Sequence, residues 1–170
     1  VGVDTNAAGQ IVISNTGAIG SAGDAVTSNG IIGTATAGAS INIQSNGGGI
    51  WAGNTGIRAN SISTGNVAVG TTAASPITVT GAGGAGIWVN TLGGTAQVAN
   101  NAAISSAGEG IIATNTTGTI SVGTSGTVTA TGGDAIRTSA TTGNSTIFTV
   151  AGGVLNGSDD GIDASSTTGF

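Results

Sequence analysis

The residue types that usually carry chemistry are nearly missing from this chain. It has no Cys and no His, and its only cations are Arg58 and Arg137, so Lys is absent too. A Ser nucleophile would find neither imidazole nor amine to take its proton. The seven acids include one tight group, Asp159, Asp160 and Asp163. Polysaccharide cleavage needs clustered carboxylates and cations arranged in a groove. A solvated corner explains the group as well, and we read the chain as not an enzyme. Nothing in this inventory calls for a cofactor, and the absence of Cys removes disulfides and thiolate metal sites.

Two binding chemistries remain to be weighed. Asp24, Glu109, Asp134 and Asp160 each stand just before a Gly/Ala–aliphatic pair and are expected to share a column, which Gly48 and Ala85 interrupt. Calcium nonapeptide repeats need Asp in every turn at a much shorter period. We therefore expect these acids to cap turn amides. Ice binding would want Thr-x-Thr ladders in register. Thr78-Val79-Thr80 and Thr127-Val128-Thr129 have that form, but the neighbouring coils offer Ser105 and Asn156. Thr is also simply a good strand residue on a solvated face.

What positions these residues is a repeat. Gly133-Asp134-Ala135-Ile136 has near-copies at Gly23-Asp24-Ala25-Val26, Gly47-Gly48-Gly49-Ile50, Gly84-Ala85-Gly86-Ile87, Gly108-Glu109-Gly110-Ile111 and Asp159-Asp160-Gly161-Ile162. With Val3 as the first member, the aliphatic positions 3, 26, 50, 87, 111, 136 and 162 are 23, 24, 37, 24, 25 and 26 residues apart. A near-constant period of this length signals a solenoid. Each period holds three short aliphatic beats, for example Ile120 with Val122, then Val128, then Ile136. Three strands and three turns make one triangular coil of a parallel β-helix, each strand pairing with its copy one period later about 4.8 Å away. Turns such as Asn115-Thr116-Thr117-Gly118 and Ala140-Thr141-Thr142-Gly143 fall at matching places, where Gly and Asn tolerate tight geometry. The expected fold is all-β, a three-faced β-solenoid of about six to seven coils of ~24 residues forming one unit over 1–170. The 37-residue step reads as one coil with an insertion within 51–86, the alternative being a new coil at Gly56-Ile57.

Columns then predict facing. The aliphatic column should point inward. The next position reads Asp4, Thr27, Trp51, Trp88, Ile112, Arg137 and Asp163 and should point outward. With an insertion in 51–86, Trp51 and Trp88 would be rung neighbours, followed by Ile112 and Arg137. These four form the candidate interaction patch, suited to a partner chain or a sugar ring.

Composition narrows the partners. Gly numbers 34 of 170 residues, Pro one, and the net charge is −5. Two cations cannot form the basic stripe that nucleic acid requires. An anionic membrane surface is disfavoured for the same reason, and no apolar run is long enough for a spanning helix. The chain starts and stops at matching points of the repeat, and we expect it to be an excerpt of a longer solenoid.

Gly-Asp-Ala-Ile and Asp-Asp-Gly-Ile-Asp-Ala repeats, separated by Thr-Thr-Gly turns in Cys-free Gly/Ala/Thr/Ser/Asn-rich sequence, resemble the passenger regions of bacterial autotransporters and related large secreted adhesins. The resemblance implies a right-handed parallel β-helix, secreted and displayed outside the bacterial cell as an adhesin or its stalk. Implied partners are a host or neighbouring-cell surface, a glycan, or further copies of the chain. A self-assembling subunit of an extracellular filament is the alternative, and an ice-binding or polysaccharide-binding β-helix a lesser one.

Overall fold

The structure, a computed structural model, describes residues 2–5 and 9–168. Every regular element in it is a β-strand, and every ladder between strands is parallel. Three sheets stack the coils into a β-solenoid, the architecture the period calls for.

Sheet A contains, in spatial order, β1 (Gly2–Thr5), β3 (Ile31–Ala35), β6 (Thr55–Ser61), β9 (Ala85–Thr91), β12 (Glu109–Asn115), β15 (Ile136–Ala140) and β18 (Ile162–Ser166). Sheet B contains β2 (Gln10–Asn15), β4 (Ser40–Ser45), β7 (Val67–Thr71), β10 (Ala96–Asn100), β13 (Ile120–Thr124) and β16 (Ser145–Thr149). Sheet C contains β5 (Ile50–Ala52), β8 (Ile77–Val79), β11 (Ile104–Ser106), β14 (Thr127–Ala130) and β17 (Val154–Gly157). Single bridges from Ile19 to Ile50 and from Val26 to Ala52 extend sheet C into the first coil.

Alternation along each strand sends one set of side chains into the shaft. On sheet A the inward column runs Ile31, Ile57, Ile87, Ile111 and Ile136, each fully buried, and ends at Ile162. Sheet C supplies Ile50, Ile77, Ile104 and Val128. Sheet B adds Ile41, Val67, Ala96 and Ile120, with Ile43, Val69, Val98 and Val122 beside them. β-branched side chains suit this packing because one staggered rotamer fills each rung against the copies above and below.

Two registers differ from the sequence expectation. Ile50 and Val26 belong to sheet C, not to the column of Ile87 and Ile136. Val3 pairs with Gly33, two residues beyond Ile31. The true frame on sheet A is Gly30-Ile31, Gly56-Ile57, Gly86-Ile87, Gly110-Ile111, Ala135-Ile136 and Gly161-Ile162. Gly49-Ile50 imitates that frame because β5, β8 and β11 of sheet C also open on a buried Ile.

The insertion expected within 51–86 is therefore absent. Those residues hold the end of β5 and then β6, β7 and β8, all in register with the coils on either side. The coil from Ile57 to Ile87 is longer than the next because each of its three turns is longer, at 62–66, 72–76 and 80–84 against 92–95, 101–103 and 107–108.

Corners are tied by polar ladders inside the shaft. Between sheets B and C, Asn15, Ser45, Thr71, Asn100 and Thr124 stand one above another. Thr71 Oγ1 donates to Asn100 Oδ1 at 2.7 Å, and Asn100 Nδ2 donates to Ala102 O at 2.9 Å and to Thr124 Oγ1 at 3.0 Å. The backbone N–H of Ala102 returns to Asn100 Oδ1 at 3.3 Å. These groups are buried and bonded, as a dry interior demands.

Candidate functional site

Among the described residues charge is concentrated on one side of the shaft, Asp24 in the turn between Ile19 and Val26 being the exception. No strand of sheet B or sheet C carries an ionised side chain. Sheet A and the corner leading into it carry Arg58, Glu109, Asp134, Arg137, Asp159, Asp160 and Asp163.

Two of the acids at this corner bond to backbone. Glu109 Oε2 accepts the N–H of Asp134 at 2.8 Å, and Asp134 Oδ1 accepts the N–H of Asp160 at 3.0 Å. Glu109 and Asp134 thus cap the turn one coil on, as the sequence led us to expect; the Asp160 carboxylate makes no such bond among the described residues. Glu109 Oε1 also pairs with Arg137 Nη1 at 3.0 Å, the Arg side chain being 45% exposed and the Glu 18%. Asp24 does not share this column: it closes a small turn through paired backbone bonds with Ser21. Among the described residues no group of three His, Cys, Asp or Glu is placed to hold a metal ion.

The Thr-x-Thr segments fall out of step with one another. Val128 aligns with Ile104 and Ile77 rather than with Val79, so Thr129 stands over Ser105 and Thr78 while Thr127 has no Thr partner. The outward column of sheet C reads Trp51, Thr78, Ser105, Thr129 and Asn156, with a single hydroxyl or amide per rung.

The four-residue patch is brought together only in part. Trp88, Ile112 and Arg137 occupy consecutive rungs of sheet A. Trp51 lies on another face, paired with Thr78 on sheet C, its ring packed over Gly49. The register slip that moved Ile50 to sheet C carries Trp51 with it.

Arg58 takes the place expected for Trp51. It pairs with Trp88 across β6 and β9, and its guanidinium carbon lies 4.4 Å from the centre of the indole ring. The outward ladder is thus Ile32, Arg58, Trp88, Ile112, Arg137 and Asp163. A cation over an indole face contributes about 0.5–2 kcal/mol, more as water is excluded. With Arg58 on its face, Trp88 is not an open platform for a sugar ring. The sequence carried a signal for Arg58: Ile57-Arg58 repeats the Ile136-Arg137 pair in the same frame.

Beside this ladder lies an open groove of about 210 Å³ lined by Asn54, Thr55, Arg58, Gly83, Ala85, Trp88 and Ile112. Its floor is the face of β6 and β9, and its wall is the turn between β8 and β9. Gly83 matters to that wall because nothing lies within 4 Å of where its Cβ would be, which leaves the groove mouth open. Arg58 differs from Arg137 in having no carboxylate partner among the described residues. Its Nε is buried without a hydrogen-bond acceptor. No protein-family model, curated protein or solved structure matches this chain.

Proposed function

We propose that the chain is a structural solenoid, surface-displayed or secreted by a bacterium, that acts as an adhesin or as the stalk of one. The observation that carries this reading is the unbroken stack of three parallel sheets around one aliphatic shaft. Such a stack is quasi-one-dimensional: each coil contacts only its neighbours, so length can grow without a new core. A rod of this kind holds a binding element away from a surface and presents long lateral faces. The small store of reactive side chains accords with a structural role, and the resemblance to autotransporter passengers supports display outside the cell.

Imaging the full-length product on its own cells tests the proposal. Rods anchored at the cell surface, together with loss of adherence when the solenoid is deleted, are expected. Free fibres with no anchored rods would overturn it in favour of the filament reading. A product confined to the cell interior would overturn both.

A further inference from the structure

We propose that the groove beside Arg58 is a binding subsite for an acidic saccharide, a sugar ring bearing a carboxylate. This deepens the adhesin half of the reading above and rests on it; a pure stalk would need no such site.

The argument begins with the cation. In a chain of net charge −5, Arg58 is a guanidinium without an anionic partner among the described residues. Trp88 covers one of its faces at 4.4 Å, and its Nε–H is buried with no acceptor. A guanidinium matches a carboxylate with two parallel N–H···O bonds, and Arg58 itself lines the groove. The ring contact holds the guanidinium beside the groove; with Nε buried, its terminal Nη groups are the ones a ligand's carboxylate would meet.

The remaining lining suits a sugar attached to that carboxylate. Asn54 and Thr55 line the groove, and neither side chain makes a hydrogen bond among the described residues. They can bond ring hydroxyls, while Ile112 and Ala85 offer apolar surface to ring C–H groups. The volume, about 210 Å³, is below the roughly 300–1,000 Å³ of a drug-sized pocket. It accommodates a single ring of a longer glycan.

An acidic peptide is the weaker fit. Extended peptides gain affinity by adding a strand to an exposed sheet edge. The groove sits on a sheet face whose strands β6 and β9 are each paired on both sides. Recognition there must go through side chains, which favours a hydroxyl-rich ligand.

The test is titration of the 170-residue chain with oligogalacturonide, followed by NMR at the Arg58 Nε–H and Trp88 indole N–H. A neutral oligosaccharide of equal length and a Glu oligomer serve as comparisons. Saturable shifts with oligogalacturonide alone are expected. Arg58→Gln should weaken binding about tenfold to a hundredfold, the effect of losing a charged hydrogen-bonded pair. Arg58→Lys should recover part of it, and Arg137→Gln should change it less than about twofold, since Arg137 is already paired and exposed. No saturation, equal binding of the neutral oligosaccharide, equal binding of the Glu oligomer, or full affinity in Arg58→Gln would each overturn the proposal. Circular dichroism of each variant separates lost binding from lost fold. Failure here while anchored rods are still seen on cells would strike only the subsite.

Discussion

Ile136 and Arg137 are adjacent in sequence and opposite in consequence. Ile136 is fully buried in the shaft, whereas the Arg137 side chain is 45% exposed and shares one ion pair with Glu109. An unpaired carboxylate at Ile136 would lose roughly 1.5–3 kcal/mol of side-chain burial and add the cost of desolvating a charge. Ile136→Asp should therefore abolish cooperative folding or lower the denaturant midpoint severely. Arg137→Gln should cost under about 1 kcal/mol, as exposed pairs do. Comparable losses for the two would mean that the register is wrong. Inside the corner, Asn100 joins Thr71, Ala102 and Thr124 through both ends of its amide. Asn100→Ala strands several of these groups in a buried site, and a loss of about 1–3 kcal/mol in chemical denaturation is expected.

At the scale of the element, the corner from sheet C to sheet A decides how closely coils can stack. A Cβ at Gly110 would run into the backbone carbonyl of Ala135 in the next coil and into a methyl of Val128. Gly56 and Gly86 face the same two obstacles from their own neighbours, the carbonyls of Gly86 and Gly110. None of the three has a positive φ, so the requirement is close approach rather than backbone conformation. Gly110→Ala should lower stability by about 1–3 kcal/mol, the usual cost of overpacking. Gly23→Ala, with nothing within 4 Å of the new methyl, should leave the thermal midpoint almost unchanged. If the two glycines tolerated Ala equally, the corner would not be the tight point of the stack.

For the molecule as a whole, a solenoid differs from a globule in having two open ends. Ile162 heads the last described rung of the column that contains Ile136, yet it is 46% exposed. A further coil, in the same chain or in a second copy, would cover it. Unpaired parallel edges recruit strands, so the 170-residue chain should show concentration-dependent association in sedimentation velocity. Ile162→Asp should suppress that association while leaving the circular dichroism intact. A concentration-independent monomer would argue against end-to-end stacking.

The sequence by itself determined the class of fold. Recurrent Gly/Ala–aliphatic pairs, three beats per period and Thr-Thr-Gly turns leave few ways to bury β-branched side chains other than a stack of parallel coils. It also determined the facing of Ile87, Ile111 and Ile136, with Trp88, Ile112 and Arg137 outward, because spacing there is nearly constant. Glu109 and Asp134 could be read as turn caps because an acid recurs at the same place in successive coils, which sets each carboxylate against the turn amide one coil on. Between Val26 and Ile87 the reading failed: Gly49-Ile50 and Gly56-Ile57 are locally alike, and nothing within either segment says which sheet it joins. That choice is made by non-local pairing, Ile50 with Ile77 and Ile57 with Ile31 and Ile87. The candidate groove depended on it entirely. Exchanging Trp51 for Arg58 beside Trp88 turns an imagined aromatic pair into a cation held on an indole face, and only the tertiary structure could decide that, because strand partners are chosen by how whole coils pack.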